Sequence, residues 1–378
     1  MTAPRVFFYV QHLLGIGHLA RASRIAQALQ ARGAQVTLVT GGLPVAGFPA
    51  PGMDHVALPP LAVSDGAFAG LVDDAGQPAG PAYLDHRRDL LLAAFARCAP
   101  DIVVTEAFPF GRRQMRFELL PLLAAIRDRQ PRPLLVASLR DILQRKTKPG
   151  RDQETVDLVL GHFDRVLVHG DPAFAPLEAS FALTAQIRDK ISYTGFVCPP
   201  APTTLPDGFD VVVSAGGGAV GAALVGAALG AARQGRADLR YCVITGPNLA
   251  QAEYDRLAAA APENVTLCRF RTDFVALLAA SRLSVSQAGY NTVADILVAG
   301  CRAVLVPFAA QGETEQSDRA ELLARAGRAL VLPEDRLTPE RLAALIAEGL
   351  DRPLASAGAN RTDGAAESAR LLLSRDWG

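Results

Sequence analysis

The first stretch with chemistry in it is residues 11–18, Gln-His-Leu-Leu-Gly-Ile-Gly-His. Gly15 and Gly17 permit a tight turn after an apolar run, which delivers His18 to the entrance of a helix starting near Leu19. An imidazole has an ordinary pKa near ~6.5 and suits proton abstraction at neutral pH. Such a base works better when a carboxylate fixes its tautomer and steadies the imidazolium. Two acids compete for that place: Glu106, which ends the run Pro100-Asp101-Ile102-Val103-Val104-Thr105, and Asp141, after the run at 133–138. Either can instead pair with Arg112, Arg113 or Arg140.

The second stretch is suited to anions. Leu283 to Ser286 is a short apolar strand that runs into Gln287-Ala288-Gly289-Tyr290-Asn291-Thr292, where a helix should begin. Amides at a helix N-terminus attract negative charge. Gly289 lets the backbone approach a diphosphate, Asn291 and Thr292 offer side-chain hydrogen bonds, and Asp295, one turn on, suits a ribose diol. Upstream, Ser214-Ala215-Gly216-Gly217-Gly218-Ala219 lies between a buried run and a helix over about 219–233. Its three glycines expose successive amides as an anion nest. No Asp-x-Asp pair occurs, so chelation of a diphosphate through paired aspartates lacks its ligands, and the sequence calls for no metal and no cofactor.

These residues need a scaffold, and the pattern supplies one. Apolar runs at 5–10, 35–40, 101–105, 133–138, 164–169 and 191–194 alternate with amphipathic helices at 19–32, 83–98 and 115–130. That alternation predicts a parallel α/β sheet. A second set of strands, at 209–214, 239–245, 264–268, 282–286 and 302–306, predicts another. Prolines at 199, 200, 202 and 206 make 199–208 a hinge linker. The expected organisation is a domain over 1–198, the linker, a domain over 209–356, and a C-terminal helix within 357–378 that packs back on the first. Ligands of doubly wound sheets bind at the carboxyl ends of the strands, so the two domains should face each other across a cleft. Residues 41–81, rich in Gly, Pro and Ala without periodicity, are expected to be long loops above it.

Composition bounds the partners. Lys+Arg and Asp+Glu are both 38, so no global field favours nucleic acid. Five cysteines, scattered and without Cys-x-x-Cys spacing, fit reduced thiols of a cytoplasmic protein. The N-terminus enters a strand at once, with no cleavable signal. Val211 to Ala232 is uncharged and long enough to span a membrane, but its order of strand, turn and helix argues against that. Arg112, Arg113, Met115 and Arg116 beside Phe108-Pro109-Phe110 allow a peripheral contact with a membrane surface; a solvated helix start is the plainer reading.

Taken together, Gln287-Ala288-Gly289-Tyr290-Asn291-Thr292-x-x-Asp295, Gly300, Pro307 and Glu315-Gln316 resemble the donor signature of family 28 and family 1 glycosyltransferases. In this chain Gln287 stands at the usual histidine, Ala288 at a glycine, Asp295 at a glutamate, and Arg302 at a proline. The resemblance extends to Gly-x-Gly-His at 15–18, to the strand ending in Glu106, and to the glycine-rich loop at 214–219. It implies a GT-B fold of two Rossmann-like domains and an inverting transferase that takes a nucleotide diphosphate sugar, most commonly a UDP-sugar. By resemblance His18 and Glu106 are the catalytic pair. The donor contacts are Gly17, Gly216, Gly217, Gly218, Ala219, Gln287, Gly289, Tyr290, Asn291, Thr292 and Asp295, with Phe270 and Arg271 at the nucleobase and Glu315 and Gln316 on sugar hydroxyls. The acceptor, a glycan, a lipid-linked sugar or a small molecule, stays open. So do two alternatives: a sugar-nucleotide hydrolase or epimerase of the same fold, and a non-catalytic nucleotide-sugar-binding protein.

Overall fold

The computed structural model describes residues 3–376 apart from 14, 46, 51, 64–69, 146–148, 217–220, 247–248, 310–312, 354–360 and 375. The chain divides into two compact units, one formed by Met1–Val197 with Asp363–Gly378, the other by Cys198–Thr362.

In the first unit the elements run β1 (Arg5–Val10), α1 (Gly17–Ala31), β2 (Gln35–Thr40), β3 (Asp54–Ala57), β4 (Ala62–Val63), β5 (Leu71–Val72), α2 (Pro81–Cys98), β6 (Ile102–Glu106), α3 (Arg116–Asp128), β7 (Leu134–Arg140), α4 (Arg151–His162), β8 (Arg165–His169) and β9 (Ile191–Tyr193). Among the described residues, seven of the strands form one sheet in the order β3-β2-β1-β6-β7-β8-β9, with every pairing parallel. A parallel sheet is covered on both faces, so its strands are apolar along their length. In β1, Phe7 and Tyr9 point into one core with Leu91, Phe95 and Leu119, while Val6, Phe8 and Val10 point into the other with Leu19, Ile25 and Leu29. The chain builds outward from β1 through β2 to β3, then returns to place β6 on the other side of β1. The crevice at such a switch point, beyond the carboxyl ends of the strands, is where doubly wound sheets bind ligands.

Residues 41–81 depart from the expectation of long loops. They hold β3, which pairs with β2, and the antiparallel pair β4 and β5. Burial explains why periodicity misses them: these strands are two to four residues long and partly or wholly exposed, too short and too wet for an alternating pattern.

The second unit runs β10 (Val211–Ser214), α5 (Ala222–Gln234), β11 (Tyr241–Ile244), α6 (Gln251–Ala259), β12 (Val265–Cys268), α7 (Phe274–Ala280), β13 (Leu283–Ser286), α8 (Tyr290–Ala299), β14 (Arg302–Leu305), α9 (Glu315–Arg325), β15 (Leu330–Val331) and α10 (Pro339–Asp351). Its sheet has the order β12-β11-β10-β13-β14-β15, again parallel, with the switch point between β10 and β13. The uncharged stretch from Val211 contains β10 and the start of α5. No helix among the described residues is long and apolar enough to cross a membrane.

The last helix, α11 (Gly364–Ser374), belongs to the first unit and packs on α1. Ala369, Leu371 and Leu372 join the core beside Leu19 and Ile25. Its start is pinned by a bridge between Val197 and Asp363. At Gly364 any Cβ would collide with the backbone of Gly195 and Phe196, so that close approach requires glycine.

Candidate functional site

The first switch point brings together two residues 88 positions apart. His18 is the second residue of α1, which begins directly after the loop leaving β1, and Glu106 is the last residue of the neighbouring β6. Nδ1 of His18 lies 2.9 Å from Oε1 of Glu106. Arg21, one turn along α1, donates to the same Oε1 and lies 3.2 Å from the imidazole Nδ1. Glu106 is fully buried and Arg21 nearly so, whereas the His18 side chain keeps 18% exposure. Burial alone would push the Glu106 carboxyl up, but the Arg21 guanidinium and the His18 hydrogen bond hold it well below the usual carboxylate range. Burial, helped by the nearby Arg112 guanidinium, pushes His18 down to about 3. The imidazole is therefore neutral at pH 7. With an ionised Glu106 as acceptor, the proton sits on Nδ1, and Nε2 is the ring nitrogen with no hydrogen-bond partner among the described residues.

Asp141, the other candidate acid, is buried, and its Oδ1 accepts from the amide of Ile142 at 2.8 Å. Glu106, and not Asp141, holds His18. Glu106 has further support that sequence reading missed. Its Oε2 accepts from Ser138 Oγ at 2.6 Å, Ser138 Oγ lies 2.8 Å from His169 Nε2, and His169 Nδ1 lies 2.9 Å from Thr194 Oγ1.

A second buried cluster shapes the loops around this switch point. Arg87 on α2 is completely buried and forms a two-pronged pair with Glu118, at 2.7 and 3.0 Å. It also donates to Gly41 O at 2.8 Å, to Pro59 O, and to Gln11 Oε1 at 2.6 Å. One guanidinium thus ties the segment after β1 to those after β2 and β3. The basic and apolar patch, the less favoured of the two readings of this stretch, is not present as such. Phe108, Phe110 and Met115 are core residues, Arg113 and Arg116 both pair with Glu154, and Arg112 turns inward to donate to Gln11 O at 2.7 Å. The aromatic-plus-arginine signal came from a buried turn leading into α3.

In the second unit the pairing Ser214↔Ser286 sets the loop after β10 beside the loop after β13. Gly216 has a φ of +76°, and a Cβ there would lie 3.3 Å from Gln287 Oε1, so the two loops touch. Gly217, Gly218 and Ala219 lie outside the described residues. Gly289 is the N-cap of α8 in an extended conformation and, having no side chain, makes no side-chain cap bond. A Cβ on Gly289 would meet nothing within 4 Å. Asn291 and Thr292 sit in the first turn, partly buried, and Asp295 lies a turn on with its Oδ1 buried. The Ser286 hydroxyl, beneath this helix start, is buried without a partner among the described residues.

Some proposed contacts look different in three dimensions. Tyr290 is buried with its ring near the Arg319 guanidinium. Glu315 is buried and pairs with Arg319 at 2.9 Å, and Arg319 also donates to Ala288 O at 2.8 Å. Gln316 Oε1 accepts from the amides of Ala288 and Phe308, at 3.0 and 3.2 Å. The Glu315–Arg319 pair and the Gln316 carbonyl therefore hold the β13–α8 loop in place. Phe270 is 60% exposed, and Arg271 pairs with Asp273 at 2.6 Å. Gly17 opens α1 in the first unit.

Comparison with known proteins follows this division. Residues 212–373 match the glycosyltransferase family 28 C-terminal domain. A UDP-N-acetylglucosamine--N-acetylmuramyl-(pentapeptide) pyrophosphoryl-undecaprenol N-acetylglucosamine transferase from Mesorhizobium japonicum is 40% identical over 111 residues, 29% of this chain and 30% of that protein. Its namesake from Chromobacterium violaceum is 39% identical over 105 residues, 28% and 29% of the two chains. The chain thus matches just under a third of the length of these curated relatives. Two solved structures share the fold over nearly the whole chain: Acinetobacter baumannii MurG, with TM-score 0.63 and 18% identity over 98% of this chain and 100% of that one, and CalG4, the calicheamicin glycosyltransferase, with TM-score 0.63 and 17% identity over 99% and 95%.

Proposed function

The chain has the GT-B fold and carries a glycosyltransferase family 28 C-terminal domain at residues 212–373, and from that premise we propose that it is a nucleotide-sugar-dependent glycosyltransferase. The second unit holds the donor. Its diphosphate lies against the N-terminus of α8 and the loop at Gly216, with Asn291 and Thr292 as side-chain donors and Asp295 on the ribose. A UDP-sugar is the donor of choice, in keeping with the UDP-N-acetylglucosamine in the relatives' names.

The first unit supplies the base. Nε2 of His18 takes the proton of an acceptor hydroxyl as its oxygen attacks the anomeric carbon. The bond from that carbon to the diphosphate oxygen breaks on the opposite face, so the anomeric configuration inverts and the nucleoside diphosphate leaves. Glu106 holds the imidazole with Nδ1 protonated and stabilises the imidazolium. The leaving diphosphate is stabilised by helix amides and neutral side chains, without a metal ion. One observation carries the reading: a neutral histidine whose Nδ1 is fixed by a buried, ionised glutamate at a sheet switch point.

The test is a thermal-shift screen of UDP-, GDP- and dTDP-sugars in the presence of chelator, followed by mass spectrometry of the products. Stabilisation by a UDP-sugar and a glycosylated product are expected. Nucleotide binding that appears only with Mg²⁺ or Mn²⁺ overturns the metal-free mechanism. Release of free sugar without an acceptor makes the protein a hydrolase, and binding without any product makes it a sensor.

A further inference from the structure

The buried side chains behind Glu106 form a row that the proposed chemistry does not by itself require. Glu106, Ser138, His169 and Thr194 are all fully buried, and they come from β6, β7, β8 and the residue after β9. Pairing places them on one face: Glu106 is the register partner of Ser138, and His169, the last residue of β8, is the partner of Arg140, two residues beyond Ser138. Four adjacent parallel strands thus carry, at or near their carboxyl ends, polar groups joined at 2.6, 2.8 and 2.9 Å. Apolar residues at these positions would spare the cost of burying each polar group.

The ionised end of the row sets the direction of its first two bonds. A carboxylate only accepts, so Ser138 spends its one hydroxyl proton on Glu106 Oε2, and 2.6 Å is the length of a charge-assisted O–H···O⁻ bond. The Ser138 oxygen must then accept, which makes His169 Nε2 the protonated nitrogen. His169 Nδ1 is left bare and is one of two acceptors within reach of the Thr194 hydroxyl, at 2.9 Å, the other being Gly195 O at 3.0 Å. His169 stays neutral because burial and the Arg21 charge push it down to about 3. The Nε2–H tautomer of His169 is selected through Ser138, and the second oxygen of Glu106 is locked while the first faces His18.

We propose that Ser138 and His169 are positioning residues for the His18–Glu106 pair: through Ser138, His169 fixes the rotation of the Glu106 carboxylate and so keeps the proton of His18 on Nδ1. This rests on the transferase reading for its kinetic consequence, but not for its structural one. Without the row, Glu106 can swing toward Arg21 alone, and the fraction of His18 presenting a bare Nε2 falls.

The test uses the full chain, with ¹⁵N-histidine NMR to read the His18 tautomer and steady-state kinetics to read turnover. Ser138→Ala is expected to lower kcat about 10- to 100-fold at unchanged donor KM, the usual cost of losing the outer partner of a functional histidine–carboxylate pair. It should also move the His18 signals away from the pure Nδ1–H pattern. His169→Leu should do the same. His169→Gln, whose amide NH2 can still donate to Ser138, and Ser138→Thr, which keeps the hydroxyl, should each recover most of the loss. If folded Ser138→Ala keeps both the wild-type tautomer pattern and kcat, the row is only structural and the proposal falls. It falls equally if His169→Gln is as impaired as His169→Leu. Should the wild-type protein transfer no sugar at all, the transferase reading fails on its own, and the NMR arm still decides the role of the row.

Discussion

The two sheets share a strand order, β3-β2-β1-β6 in the first unit and β12-β11-β10-β13 in the second, yet their switch points are furnished in opposite ways. Between β1 and β6 the strand ends carry ionisable groups, with His18, Arg21 and Glu106 packed into mutual contact. Between β10 and β13 they carry Ala215, Gly216, Gln287, Ala288 and Gly289, with no ionisable side chain among these five. The first arrangement fixes protonation states, and the second, small and uncharged at a helix start, is the one proposed to receive an anion. Topology chooses the place, and the residues at the strand ends choose the chemistry.

The contrast breaks most visibly at His18. A base acts only in the transition state, so His18→Ala should lower turnover about 10²- to 10⁴-fold while donor affinity, measured by calorimetry on the same protein, stays within a few-fold. Loss of donor binding instead would make His18 an anion contact and erase the division of labour between the units. Glu106→Gln should cost less in turnover, because it orients the imidazole, and more in stability. It breaks the buried pair with Arg21, a change that typically costs about 3–5 kcal/mol, readable as a lower midpoint in urea.

Acid should also distinguish the units. His18 and His169 are held near 3 in the folded chain, well below the value of about 6.5 for an unfolded histidine. As pH falls from about 6.5 toward 3 the unfolded state therefore binds more protons than the folded one, and stability is lost, by up to about 1.4 kcal/mol per pH unit for each histidine. Glu106, held low, acts with the same sign below the ordinary carboxylate value. Hydrogen exchange corrected for its intrinsic pH dependence should show β6, β7 and β8 losing protection between pH 6.5 and 4.5 before β10 and β13 do. Equal loss in both sheets would contradict the buried, neutral state of the two histidines.

How much of this was legible in the sequence depended on how each feature is encoded. Parallel strands buried on both faces read as unbroken apolar runs, so β1, β2, β6, β7 and β10 through β14 stand out. His18 and Glu106 were legible because each follows or ends such a run. Ser138, His169 and Thr194 were not, since a lone polar residue at a strand end has no periodicity and its partners lie 25 to 32 positions away. The one available signal was that adjacent strands all carry polar residues at or near their carboxyl ends where apolar ones would do. Glu315 and Gln316 matched a motif whose spacing is visible, but their engagement with Arg319 and with the amides of Ala288 and Phe308 depends on how α9 packs.

Gly289 offers a cleaner probe of the second switch point than Gly216. Its φ of −64° suits any residue, and a Cβ there enters open space, so Gly289→Ala should leave the melting temperature of the free protein unchanged. If a diphosphate rests on this backbone, the added methyl should weaken nucleotide binding by about 1–3 kcal/mol, as should Asn291→Ala or Asp295→Ala, each of which removes a polar partner of the ligand. Unchanged affinity in all three would move the donor away from α8. Gly216→Ala cannot make this separation, because its positive φ strains any other residue whether or not a ligand binds.

The smallest effect tests which half of the Gln316 amide matters. Its Oε1 accepts from Ala288 N and Phe308 N and so holds the loop after β13 to the segment after β14. Gln316→Ala should cost about 1 kcal/mol or slightly more in stability and weaken donor binding modestly, since two loop amides lose their acceptor. Gln316→Glu keeps an oxygen in the same place but replaces the NH2 donor with a second acceptor. If Gln316 serves only as a clamp, the glutamate variant should match the wild type in both melting temperature and donor affinity. If the NH2 group also donates to a sugar hydroxyl, the glutamate variant should keep its stability and still lose affinity for the nucleotide sugar, while its affinity for the bare nucleoside diphosphate stays unchanged.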